Sequence, residues 1–278
     1  MMKKKQVITA GMMTAAMLLA LAGCGGSAAE ETAPAEETAV TEETTPEVEL
    51  EEYKSDDGWA VKYDPSLIEV EYGGGAVDFV YIGGSESGEE ASLVTISVEK
   101  DKLPEEVLYE ITEPWGDNGA IVRSEGFFPG TDDKWGYWRV FSPEGDTGAF
   151  RTAIAGEYNG GVLLIQNTDY YTGDDAEDMK VVGATETIVD SITYENFQPQ
   201  TMYDYIPGTY TAEQDGTAMT VTLNEDHTGV LSMQDDVDII WGSTELMAVD
   251  GSFRYEYTIE GDNLYINYDG NWMELARA

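Results

Sequence analysis

The sequence predicts an α+β protein: an antiparallel sheet with packed helices, followed by a small all-β antiparallel barrel or meander. Three patterns predict it. From Tyr53 onward, short apolar runs are punctuated by Asp-Gly, Asn-Gly and Glu-Gly turns. Two stretches carry apolar residues at helical spacing, and after the second a polar segment containing Pro199 leads into another series of strands. The length beyond Tyr53 suits one medium and one small domain, 53–198 and 201–278.

The first element is a leader over residues 1–23. Lys3, Lys4 and Lys5 make it positive at the start, and Val7 to Leu21 form an apolar run shorter than the roughly 20 residues a membrane helix needs. Leu21, Ala22, Gly23 and Cys24 then resemble a bacterial lipobox. That resemblance implies cleavage between Gly23 and Cys24, lipid attachment to the Cys24 sulfur, and anchoring on the extracytoplasmic face of a cell membrane. Each buried CH₂ of an acyl chain adds about 0.8 kcal/mol, so two or three chains make a lasting anchor. Cys24 is the single cysteine, which leaves the folded part without a disulfide or a thiol nucleophile.

Residues 24–52 follow as a lipidated cysteine and acidic tether. The 28 residues from Gly25 to Glu52 hold ten Glu, no Lys or Arg and no aromatic residue. Such a composition cannot bury enough apolar surface to offset the entropy of ordering. As a flexible coil it averages about 30 Å, and it extends to about 100 Å at most.

In the next unit, Trp59, Val61 and Tyr63 alternate, as do Val94, Ile96 and Val98. Val162 to Ile165 suits a buried central strand, with Asn159-Gly160 as a hairpin turn before it. Pro104, Glu105 and Glu106 open a helix with Val107, Leu108 and Ile111 inward, and Pro114 stops it. A second helix spans about Asp175 to Ser191 with Val181, Ala184, Ile188 and Ile192 as its stripe. Asp174 with Glu177 three residues later reads as a capping box, and Asp175 and Asp178 suit the positive end of the helix dipole.

The opening Tyr53 to Tyr63 with Asp57-Gly58-Trp59, the continuation Tyr63-Asp64-Pro65-Ser66, the helix after the Val94 strand and the closing Glu186 to Ile192 resemble the PsbP-like domains. The resemblance implies an accessory or binding role beside a larger assembly, with no shared catalytic site. In the last unit, Phe253, Tyr255, Tyr257 and Ile259 alternate with Arg254, Glu256, Thr258 and Glu260. Turns are expected at Asp215-Gly216, Thr228-Gly229, Asp250-Gly251, Glu260-Gly261 and Asp269-Gly270, giving seven or eight strands. Gly208-Thr209-Tyr210, the run Met219 to Leu223 and the turn Asn224 to Gly229 are similar to small lipocalin-like barrels. Strands of about six residues favour a filled interior over a ligand cavity.

The formal charge is −41, and removal of the leader's three lysines leaves 11 basic against 55 acidic residues, a net −44. That field opposes nucleic acid and anionic polymers and favours basic partners. His227 is the sole histidine, expected as an exposed turn residue, so histidine triads and two-histidine metal sites are excluded. No phosphate-cradling, dinucleotide or nucleophile-elbow motif occurs. No catalytic residue, metal or cofactor is assigned.

One segment stands out. In Trp135-Gly136-Tyr137-Trp138-Arg139-Val140-Phe141, a strand places Trp135, Tyr137 and Phe141 on one face and Trp138 and Val140 on the other. One face meets the sheet core. The other is covered by a further element, meets the second domain or, with Trp115 nearby, forms a candidate surface for sugar stacking or partner docking. The expected function is a non-enzymatic, membrane-anchored lipoprotein that binds or supports an envelope assembly through an envelope protein partner. The alternatives are a small-ligand or carbohydrate binding protein and a carboxylate-based hydrolase.

Overall fold

The described residues form three antiparallel sheets and two α-helices. The computed structural model describes residues 48–83, 91–116, 120–145, 147–214, 217–268 and 270–278. The leader, Gly23 and Cys24 of the lipobox, most of the tether and the Asp215-Gly216 turn lie outside the described residues, as does Asp269.

In chain order the first part contains β1 (Glu51–Lys54), β2 (Trp59–Tyr63), β3 (Ile68–Gly73), β4 (Ala76–Tyr81), β5 (Leu93–Glu99) and α1 (Pro104–Thr112). It continues with β6 (Ile121–Phe127), β7 (Trp135–Phe141), β8 (Gly148–Tyr158), β9 (Gly161–Tyr171), α2 (Asp175–Asp190) and β10 (Thr193–Tyr194). The second part contains β11 (Gly208–Gln214), β12 (Thr217–Leu223), β13 (Thr228–Ser232), β14 (Asp236–Trp241), β15 (Glu245–Ala248), β16 (Arg254–Glu260), β17 (Asn263–Tyr268) and β18 (Asn271–Arg277).

Seven strands form the main sheet in the order β3-β4-β5-β9-β8-β7-β6. As expected, the Val162 to Ile165 strand is central, and these four residues are buried. Asn159 and Gly160 both adopt left-handed backbone, φ 50° and 81°, and Tyr158 pairs with Gly161 across them. This two-residue turn matches the twist of its flanking strands and fixes their register. A separate three-stranded sheet, β1-β2-β10, contains the Trp59 strand. Its edge, β1, begins two residues inside the expected tether. Glu51 is held there by Tyr63 Oη, which donates to its carboxylate at 3.0 Å, and by pairing of the two backbones.

Both helices start where their sequence signals place them. Glu106 accepts from the Leu103 backbone N–H at 2.9 Å at the start of α1, and Pro114 lies in a 3₁₀ turn, Glu113–Trp115, that ends it. Asp174 caps α2 by accepting from the N–H groups of Ala176 and Glu177 at 3.0 and 3.3 Å. The reciprocal half of the expected capping box does not form, because the Glu177 carboxylate accepts from Tyr81 Oη and Lys180 instead. Val181, Ala184, Ile188 and Ile192 are all buried, as their spacing predicts.

The main sheet is apolar on both faces. On one, Val94, Ile96, Ile154, Leu163 and Ile165 pack with α2 and with Trp59 and Val61 of the small sheet. On the other, Trp135, Tyr137, Ala153, Ala155, Val162 and Leu164 pack with Val107 and Leu108 of α1 and with the second part of the chain. Tyr137 lies opposite Ala155 in the register, so a small side chain makes room for a large one.

The second part closes into an eight-stranded barrel, β11 to β18 in sequence order, sealed by pairing of Tyr210 with Arg277 and Thr211 with Ala276. The turn expected at Thr228-Gly229 falls earlier, over 224–227, and Thr228 already begins β13. Register places Tyr210, Val221 and Leu231 side by side, as it does Leu264 and Leu275. These residues, with Leu246, Tyr257 and Ile266, are buried and fill the barrel interior. The exposed Arg277 of the closing strand holds its guanidinium 5.0 Å from the Tyr210 ring centre and donates to Tyr210 Oη at 2.7 Å. Sheets and barrel belong to a single compact unit, Glu47–Ala278. None of the helices among the described residues is long and apolar enough to cross a membrane.

Gly183 lies inside α2, and a Cβ added there would meet nothing within 4 Å. Glycine costs a helix interior about 1 kcal/mol relative to alanine. Gly183→Ala should therefore raise unfolding stability by about that amount, read as a higher urea midpoint with an unchanged slope.

Candidate functional site

The aromatic strand does not present a surface to solvent. Trp135 and Tyr137, expected as possible stacking or docking residues, are buried beneath α1 and the barrel. Their partner is the chain's own C-terminal part. Trp138 on the opposite face packs into the core shared with α2. Trp115 is half-buried at the end of α1, with its ring centre 6.5 Å from that of Phe141. Trp115 packs against the same cluster that buries Trp135 and Tyr137, so the three contribute to one core rather than to one exposed surface.

The expectation for His227 is also corrected. It is only 2% exposed, although it occupies a turn and holds left-handed backbone at φ 65°. Its Nδ1 lies 2.8 Å from the Trp241 carbonyl, which can only accept, so this nitrogen carries a proton. Its Nε2 forms a hydrogen-bonded pair with Glu157 of β8, which is equally buried. The other Glu157 oxygen accepts from the Met202 N–H at 2.9 Å. The imidazole also packs against the Trp241 ring at 4.6 Å. Main sheet, connecting segment and barrel thus converge on one buried carboxylate.

Glu125 of β6 makes a second bridge. Its carboxylate accepts from Trp135 Nε1 at 3.0 Å, Ser243 Oγ at 3.0 Å and Thr244 Oγ1 at 2.7 Å. Arg254 of the barrel donates to the Glu125 carbonyl at 2.9 Å. Gly242 permits this approach: a Cβ there would collide with Trp135 Nε1 and Glu125 Oε2. Burial pushes the Glu125 carboxyl up, against the three donors that lower it. Burial also lifts the Tyr137 hydroxyl far above the usual phenol range, reinforced by Tyr203, Glu125 and Glu157, so it stays neutral. The two carboxylates are consumed by joining sheet to barrel, and their geometry describes a structural seam, whereas the buried Tyr137 hydroxyl has no hydrogen-bond partner among the described residues.

An open groove lies elsewhere, where the start of β8 and the end of β9 meet α2. The groove, of about 790 Å³, is lined by Phe150, Tyr171, Met179, Val182 and Gly183 and by the carboxylates Asp175, Asp178 and Glu186. Phe150 pairs with Asp169 across the hairpin, which places Tyr171 diagonally beside it on the same face. The two rings stack at 4.3 Å with 32° between their planes. Met179 is 75% exposed. Below the groove, Asp169 ties α2 to the sheet by accepting from Thr185 Oγ1 at 2.8 Å, and Asn167 donates to its second oxygen at 2.9 Å. Asp178 accepts from Thr172 N–H and Gly173 N–H at 2.8 and 3.1 Å, which secures the loop leading into α2. Burial raises the Tyr171 hydroxyl, and Asp169, Asp178 and Glu186 raise it further, so the groove lies in a negative field.

Sequence reasoning missed this groove because Phe150 and Tyr171 are brought together only by hairpin register. Met179 was the available signal: an apolar residue outside the α2 stripe, flanked by Asp178 and Lys180. No family model and no curated protein matches the chain.

Two outcomes test the seam. His227→Ala leaves Glu157 buried without its partner, and should cost about 3–5 kcal/mol of stability in urea unfolding, with Glu157→Gln costing less. For Glu125, a carboxyl raised in the folded state binds more protons folded than unfolded. Its contribution is full below the ordinary value near 4.5 and is lost as pH rises through the folded value. Glu125→Gln can still accept from Trp135 and donate to the two hydroxyls. Its stability relative to the parent chain should therefore increase as pH climbs from about 4 to about 7, read from paired urea midpoints.

Proposed function

We propose that the protein is a lipid-anchored envelope protein that works by binding, as an accessory to a larger assembly, and that Cys24 carries the anchor. The observation that carries the binding role is the groove between α2 and the ends of β8 and β9. Its aromatic pair and exposed methionine rest on a scaffold fixed by Asp169, Asp174 and Asp178. An open apolar surface set on rigid elements is what partner recognition requires. The antiparallel sheet with a helix on each face is consistent with the PsbP-like reading of residues 53–198, and that resemblance supports the accessory role. The interior of the C-terminal barrel is occupied by its own side chains, and its outer face covers the sheet, so the binding role is assigned to the groove rather than to the barrel. The acidic tether gives the folded part reach from the membrane.

Cross-linking of the anchored protein in living cells tests this reading, with a Cys24→Ser form as the unanchored control. A protein partner captured only by the anchored form is the expected result. Effective cross-linking that captures no protein partner would overturn the accessory role.

A further inference from the structure

We infer that the α2 groove receives a basic, apolar-flanked peptide segment of a partner protein, with a lysine or arginine stem laid across Phe150, Tyr171 and Met179. This inference rests on the binding role proposed above and names the chemistry of its partner.

The groove combines two properties that seldom serve the same ligand. Part of its lining is apolar: the Phe150 and Tyr171 ring centres lie 4.3 Å apart with 32° between their planes, Met179 is exposed, and the missing side chain of Gly183 leaves open space. The rest is acidic, with Asp175, Asp178 and Glu186. Its volume of about 790 Å³ has room for side chains of a partner laid along an open surface.

A small hydrated cation would use the carboxylates and gain nothing from the apolar residues. Asp178 is also poorly placed as a metal ligand, because its oxygens already accept from Thr172 and Gly173. An acidic segment would be repelled by Asp175, Asp178 and Glu186, and a neutral apolar one would leave these carboxylates without a counter-charge. Lysine and arginine satisfy both, since their aliphatic stems cover apolar surface while their charged heads reach outward. A cation held over either ring adds a cation–π attraction. The formal charge of −41 steers such a segment toward the protein from a distance.

The test must separate a seated peptide from diffuse attraction to an acidic chain. The probes are two fluorescent octapeptides, one alternating Leu and Lys and one alternating Leu and Glu, added to the full-length protein in neutral detergent at about 0.15 M salt, where surface charges are screened beyond roughly 8 Å. The Lys peptide should bind and the Glu peptide should not. Met179→Asp supplies the decisive contrast, because it adds negative charge while removing apolar contact. A seated peptide should bind about fivefold more weakly to it, and Glu186→Gln should also weaken binding. Retained far-ultraviolet circular dichroism and thermal unfolding would show that both variants fold. Unchanged or tighter binding to Met179→Asp, or no binding of the Lys peptide to the parent protein, would overturn the inference. In cells, undiminished capture of the same partner by the Met179→Asp form would reject the groove while leaving the anchored binding role standing. Absence of any partner would reject that role itself.

Discussion

A seven-stranded sheet that is apolar on both faces needs two covers, and this constraint organises the molecule. Helix α2 and the small sheet cover one face, while α1 and the barrel cover the other. Strands buried on both sides read as continuous apolar runs, which is why Val162 to Ile165 shows no alternation. The barrel is thus an integral part of the core rather than an appended module. Its outward-facing Ile240 and Met247, paired in register, are buried in the same cluster as Trp135 and Tyr137.

Covering the sheet with a barrel brings polar groups out of water, and their arrangement follows from the cost of leaving them unpaired. Glu125 and Glu157 reach from the sheet, and the barrel answers with Ser243, Thr244 and His227. Each carboxylate accepts several donors, as buried charge demands. Such contacts add direction to an otherwise apolar interface: hydrophobic packing tolerates sliding, whereas two hydrogen-bonded carboxylates on separate strands fix both position and rotation.

Local signals carried much of the fold. The Asn159-Gly160 turn, the proline-opened α1, the capped α2 and the alternating barrel strand Arg254–Glu260 could each be read within a few residues. The β3 and β4 hairpin was not recognised, because its turn is glycine-rich and its strands mix Glu69, Glu71 and Asp78 with apolar residues. The site was much less legible. Trp135 and Tyr137 have the composition of a binding surface, and only the tertiary arrangement reveals that the chain covers them itself. His227 shows the same limit in reverse: its neighbours Asn224, Glu225 and Asp226 read as an exposed turn, while its partner Glu157 is 70 residues away. The groove required the β8–β9 register and the rotation of α2 together, and neither is contained in a short window.

The shared core also has a consequence in time. Leu275 of β18 belongs to the same cluster as Leu108 and Trp135. A ribosome delivers the N-terminal residues first, so the face of the sheet that awaits the barrel remains uncovered until β18 has been made. The barrel is closed only when β18 joins β11. A chain interrupted before β18 carries an open seam and an uncovered apolar face, features that chaperones and proteases recognise.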